Sequence, residues 1–161
     1  MTASEYNQTV DLYADNLYRF ILKSLRDIEK AKDIVQESFE RLWINKSKVE
    51  KDKSKSYLFT IAYRLIIDET RHIKQQTQLT AEYINEKENT NTYNDLNEIL
   101  HQAIENLPNN QRSVVLLRDY EGYSYDEIGQ ITGLSESQVK VYIYRARLFL
   151  KNYIGKLDKI I

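Results

Sequence analysis

The stretch "YSYDEIGQITGLSESQVKVYIYRARLFL", Tyr123 to Leu150, holds two helix starts eleven residues apart, at Ser124 and Ser135. Ser124 is followed three positions on by Glu127, and Ser135 by Gln138. In that spacing a serine oxygen accepts from an orphan backbone N–H while the Glu or Gln side chain reaches back to the cap. The interval leaves room for one short helix and a tight turn. The turn falls on Thr132-Gly133-Leu134, where glycine can take a left-handed backbone that other residues resist. Gly129 lies inside the first helix, where glycine costs ~1 kcal/mol relative to alanine. Its presence predicts that the second helix crosses close by. The local pattern is a helix-turn-helix.

Val139, Ile143, Ala146 and Leu150 follow i, i+4, i+7, i+11 along the second helix and form its buried stripe. The opposite face carries Ser137, Val141, Tyr144, Arg145 and Leu148, flanked by Gln138, Lys140, Arg147 and Lys151. Cations for phosphates, an arginine for guanine edges and a valine for a thymine methyl suit a DNA major groove. A solvated basic helix would not need two apolar residues and a tyrosine pointing outward, so DNA contact is the expected use.

Working outward, the 161-residue chain carries a formal charge of −1, poor equipment for holding a polyanion. The charge is uneven, however. From Ser137 onward, Lys140, Arg145, Arg147, Lys151, Lys156 and Lys159 face the single acid Asp158, while residues 73–110 hold 2 basic against 6 acidic residues. The field that matters is local. With one proline, four glycines and long helical periodicities, the composition predicts an all-α protein. The absence of cysteine excludes disulfides, thiolate metal sites and a catalytic thiol. His72 and His101 have no metal-ligand spacing, and His72, beside Arg71, is expected at a solvated helix end. No Gly-rich phosphate loop or nucleophile–base grouping is visible, so neither catalysis nor a cofactor is expected. The first residues lack a basic start followed by an apolar run, and no window approaches the ~20 apolar residues of a spanning helix. The expectation is a soluble, cytoplasmic protein without membrane insertion.

Three zones are predicted: residues 1–72, a polar linker over 73–97 with a short helical stretch near Leu79 to Ile84, and residues 98–161. The outer zones read as two small helical domains, each marginal as an independent folder. In the first, "DIVQESFERLW", Asp33 to Trp43, puts Val35, Ser38, Phe39 and Leu42 on one helical face and Asp33, Gln36, Glu37 and Glu40 on the other. Periodicity alone says only that this is an amphipathic helix. A lysine-rich run from Asn45 to Ser56, with Lys51, Lys53 and Lys55, is expected to be a mobile basic loop. A helix then begins at Tyr57, with Leu58, Ile61, Ala62, Leu65 and Ile66 inward, Arg64 outward, and Phe59 and Tyr63 near the boundary. Aromatics beside a cationic loop can stack unpaired bases of single-stranded DNA at ~1–3 kcal/mol each. The same residues would serve equally as core aromatics beside a solvated loop.

Two stretches together resemble one family. "LPNNQRSVVLLRDYEGYSYDEIGQITGLSESQVKVYIYRAR" resembles the upstream-promoter domain of bacterial sigma factors, through Leu107-Pro108, Gln111-Arg112, Gly122 and Ser124, Val139-Lys140 and Arg145-Ala146-Arg147. "DIVQESFERLW" and "YLFTIAYRLIIDETRH" are similar to the family's polymerase-docking and downstream-promoter helices, in the expected order. Larger sigma factors carry another domain in the gap, for which residues 73–97 leave no room. The chain is therefore similar to the small two-domain extracytoplasmic-function (ECF) group.

The resemblance implies that Asp33, Gln36, Glu37, Glu40 and, more weakly, Arg41 contact core RNA polymerase. It also implies that Lys51, Lys53, Lys55, Tyr57, Phe59, Tyr63 and Arg64 hold the melted −10 strand. Ser137, Gln138, Lys140, Val141, Tyr144, Arg145 and Arg147 would then read the −35 duplex. Where many relatives have Asn, this chain has Arg64, which implies a different flipped-base preference. With no sensor domain in view, the resemblance also implies control by an anti-sigma protein. The competing expectation is a stand-alone dimeric helix-turn-helix regulator, whose first 72 residues would dimerise or sense.

Overall fold

The computed structural model describes residues 1–79 and 96–158, and every regular element in them is helical. Helix α1 spans Ala3–Leu25, α2 Ile28–Ile44, α3 Ser54–Leu79, α4 Leu96–Glu105, α5 Asn109–Val115, α6 Tyr125–Thr132 and α7 Glu136–Asp158. The α1 start is fixed by a capping box between Thr2 and Glu5. Its C-cap residue, Arg26, takes the left-handed φ of 53° that lets the chain reverse at once into α2. Asp27 then accepts from the Lys30 N–H at the head of α2.

Helices α1, α2 and α3 pack as a three-helix bundle around Leu17, Phe20, Ile21, Ala31, Ile34, Leu42, Leu58, Ala62 and Ile66. Burying each leucine, isoleucine or phenylalanine among them stabilises by ~1.5–3 kcal/mol. In the C-terminal half, α5 passes directly into a wider π turn over Leu116–Tyr120, and α6 and α7 close around Leu116, Ile128, Ile131, Val139 and Ile143. The expected α7 stripe is present: Val139, Ile143 and Ala146 are buried and Leu150 is half-buried.

Two local expectations need correction. The lysine-rich run is structured: two 3₁₀ turns, Lys46–Lys48 and Lys51–Lys53, lead straight into α3 at Ser54. It is pinned by buried Val49 and Ser54, by the Ser54 hydroxyl donating to the Lys51 carbonyl at 2.6 Å, and by the Met1 amine donating to the carbonyls of Lys46 and Val49. Counting lysines finds the charge but not the two small buried residues that anchor it. Second, α3 continues past residue 72 to Leu79, so His72 lies within the helix, and α4 already begins at Leu96. The helical stretch expected beyond Leu79 falls outside the described residues. The two halves, whose arrangement the sequence leaves open, share one contiguous core, in which Phe20 and Phe59 meet Tyr123 and Ile104.

Candidate nucleic-acid interface

The helix-turn-helix is built as its serines require. The Glu127 N–H donates to Ser124 Oγ, and the Ser124 N–H donates to Glu127 Oε1, both at 3.1 Å. The second box is equally complete, with the Ser135 N–H on Gln138 Oε1 at 2.9 Å and the Gln138 N–H on Ser135 Oγ at 3.2 Å. Gly133 between them is left-handed at φ 78°. The demand on Gly129 differs from the one expected: a Cβ there would lie 2.9 Å from the Leu134 carbonyl oxygen, so the turn, not the second helix, excludes a side chain.

These caps aim α7 so that Ser137, Val141, Tyr144, Arg145 and Leu148 are exposed together, Tyr144 by 68%. Its cations are not equivalent. Arg147 reaches both carboxylate oxygens of Asp119, at 3.1 Å and 2.5 Å, and that contact raises its pKa. Lys140 pairs with Glu136 at 3.3 Å and lies 5.6 Å from the Tyr125 ring. Gln138 spends its carbonyl oxygen on the Ser135 cap. Arg145 is exposed and, among the described residues, faces no acidic partner.

At the start of α3, Lys51 and Lys53 are exposed, with Lys51 donating to Gln8 Oε1 at 2.7 Å. Tyr57 and Tyr63 are half-buried, burial pushing the Tyr63 phenol upward, and Arg64 is exposed. Phe59 departs from the expectation. It is 0% exposed, its ring 5.5 Å from Phe20 and 5.3 Å from Tyr123, so in this conformation it offers no face to a base. The residues that bury it lie on α1 and in the segment before α6, and the periodicity of α3 contains no sign of them. Lys55 is likewise half-buried, its ammonium 4.4 Å from the Tyr123 ring centre.

On α2, Asp33, Gln36, Glu40 and Arg41 are exposed and Glu37 is half-buried. The face is pre-ordered by Gln36 Nε2 donating to Glu40 Oε1 at 3.1 Å and by the Arg41–Glu37 pair at 2.7 Å. Beside it, an open groove of roughly 250 Å³ between α2 and α3 has an apolar floor of Ile34 and Leu65. Its rim carries Asp33, Glu37, Asp68 and Glu69 against Lys30 alone. The sequence reading missed Ile44. It extends the row Asp33, Glu37, Glu40 by the same i, i+4, i+7, i+11 spacing and is 75% exposed, with Trp43 beside it at 44%. A helical projection carried one residue beyond the motif would have found it.

Residues 9–76 match the family model of sigma-70 region 2, and residues 97–150 match that of sigma-70 region 4. The ECF RNA polymerase sigma factor SigM of Bacillus subtilis (strain 168) is 30% identical over 156 residues, covering 94% of this chain and 94% of its own length. SigW of the same organism is 29% identical, covering 92% of this chain and 88% of its own. Among solved structures, the sigma factor RpoE of Bartonella quintana, crystallised with the anti-sigma factor NepR, has a similar fold. Its TM-score is 0.79 at 21% identity, over 95% of this chain and 98% of that one.

Proposed function

The chain belongs to the extracytoplasmic-function group of the sigma-70 family, and from that premise we propose how its surfaces divide the work of a sigma factor. As an RNA polymerase sigma factor, it directs core polymerase to promoters and stabilises strand opening. The polar face of α2, with Asp33, Gln36, Glu37 and Glu40, binds the polymerase clamp, and Arg41 stiffens it through Glu37. The start of α3 offers Lys51, Lys53, Tyr57, Tyr63 and Arg64 to the melted −10 strand, with Lys55 and Phe59 joining once uncovered. The outward face of α7 reads the −35 duplex through Val141, Tyr144 and Arg145.

Captured bases offset the cost of unpairing, typically a few kcal/mol, so opening needs no nucleotide hydrolysis. A chain of charge −1 can work this way because core polymerase supplies most nonspecific phosphate contacts and holds both modules at high effective concentration. No described helix is long and apolar enough to cross a membrane. We place the protein in the cytoplasm with polymerase, and include an anti-sigma protein among its partners because a Bartonella quintana sigma factor of this fold is crystallised with one.

The single observation that carries the assignment is the pairing, in order on one chain, of a region 2 match over 9–76 and a region 4 match over 97–150. A dimeric regulator would account for the second alone. The test is co-elution of the full chain with sigma-free core polymerase on a sizing column. A stoichiometric complex is expected, and it should be lost in an Asp33→Ala/Gln36→Ala variant. A folded chain that never joins cognate core would overturn the assignment.

A further inference from the structure

We propose that α1 belongs to the strand-capturing apparatus, with Gln8 and Thr9 as positioning residues that set the turn presenting Lys51 and Lys53 to melted DNA. This rests on the role given above to the start of α3. The turn, Lys51–Lys53, is a three-residue 3₁₀ helix without a side-chain cap, and the turn before it, Lys46–Lys48, has none either. Such short pieces hold their geometry poorly by themselves, so the direction of the two lysines has to be imposed from outside. Consecutive residues of α1 impose it. The Gln8 side-chain oxygen accepts from Lys51 Nζ at 2.7 Å. One residue on, Thr9 Oγ1 reaches Ser54 Oγ at 3.4 Å, and the Ser54 hydroxyl in turn donates to the Lys51 carbonyl at 2.6 Å. Thr9 and Ser54 are each 1% exposed.

The two contacts differ in chemistry, and each suits the task. Ser54 spends its proton on Lys51, so its oxygen is left to accept from Thr9, which shares its own proton with the Glu5 carbonyl at 2.9 Å. This hydroxyl chain lies where water cannot replace a lost partner, and it holds the Lys51 backbone against α1. Gln8 holds the ammonium through a neutral amide, which orients the charge without cancelling it and leaves it to attract a phosphate. A glutamate in that place would grip the lysine and compete with DNA for it. Ordering the lysine before the strand arrives removes part of the entropy that capture would otherwise cost.

The test uses holoenzyme assembled from the full chain and core polymerase, on a promoter fragment that the unmutated holoenzyme selects from a random-sequence pool. The readouts are the lifetime of open complexes after a heparin challenge and the thermal midpoint of the free chain. Gln8→Ala should shorten the lifetime about two- to tenfold, the cost of leaving one lysine unordered. Gln8→Glu should shorten it further while leaving the thermal midpoint equal or higher. A residue that served only the fold would do the reverse, since glutamate pairs with Lys51 at least as well as glutamine does. In a Lys51→Ala background neither Gln8 variant should shorten the lifetime again, because Gln8 acts through that lysine. Thr9→Val should also shorten the lifetime, Thr9→Ser should keep it, and −35 duplex binding should be unchanged in both. Gln8 is exposed, so its variants keep the test decisive should Thr9→Val fail to fold. Parental lifetimes in Gln8→Glu or in folded Thr9→Val, or Gln8 effects that persist without Lys51, would overturn the proposal, while losses in Lys51→Ala and Lys53→Ala would leave the role of the α3 start standing. Parental lifetimes in those two lysine variants would remove that role, and this proposal with it.

Discussion

Arg147 is held on both oxygens of Asp119, while Arg145, two positions away on α7, faces outward without an acidic partner among the described residues. The first is committed to its own fold, the second is available to a base. Arg145→Ala should therefore weaken holoenzyme binding to the −35 element by about 1–3 kcal/mol and relax discrimination at one position. Arg147→Ala should cost only ~0–1 kcal/mol of stability, as for other exposed pairs, and weaken binding equally for all duplex sequences. Anisotropy titrations of both variants against matched and mismatched duplexes check this, and equal loss of discrimination would refute the distinction. At this scale the sequence shows which residues share the outward face of α7, because 3.6-residue periodicity fixes faces. It cannot show that Asp119 reaches Arg147, since that pairing depends on where the π turn over Leu116–Tyr120 sets down its last residues. Phe59 is hidden for the same kind of reason: Phe20 and Tyr123 are remote in the chain.

Among the elements, the helix-turn-helix was the most legible, because its signals are local. Ser124, Ser135 and Gly133 act on backbone groups within four residues and do so wherever they occur. The two 3₁₀ turns were illegible, because Val49 and Ser54 look like ordinary loop residues until the bundle that buries them is present. Gly129 gives this scale its test. In an unconstrained helix Gly→Ala stabilises by ~1 kcal/mol. Here the new Cβ would sit 2.9 Å from the Leu134 carbonyl oxygen, a backbone atom that cannot rotate away. Gly129→Ala should therefore destabilise by about 1–3 kcal/mol, in the range of overpacked sites. Because the atom displaced lies just before the Ser135 cap, −35 binding should fall along with stability. Urea denaturation showing the variant to be more stable than the parent would mean that the turn yields at no cost.

For the whole molecule, the sequence predicts two helical modules on a polar connection, and hydrophobic periodicity is enough for that. How they meet is set by side chains of low sequence contrast, of which Arg112 is the clearest. Noted in the sequence only as part of a family motif, it proves to be an internal fastener. Its guanidinium donates to the carbonyls of Ile104 at 3.1 Å, Glu105 at 2.6 Å and Leu107 at 2.9 Å. It thereby closes the end of α4 onto α5. Nη1 crosses to the other half and donates to the Ser24 carbonyl at 3.1 Å. Burial pushes its pKa down, with Glu105 opposing, but an arginine remains charged, so the four carbonyls keep a cationic donor across the accessible pH range. Arg112→Met preserves much of the volume and removes every donor, leaving these acceptors to find water or go unpaired at ~1–3 kcal/mol for each one left buried. The expected loss is about 3 kcal/mol, since partial exposure lets some rehydrate. Because one bond spans the halves and three do not, the loss should appear mostly as unfolding of the C-terminal half. Hydrogen exchange resolved by peptide would show protection falling across α4, α5 and α7 while α2 stays protected. Uniform loss in both halves would instead mean that the protein unfolds as one cooperative unit, with the shared core around Phe59 and Tyr123 too strong to part before either half melts.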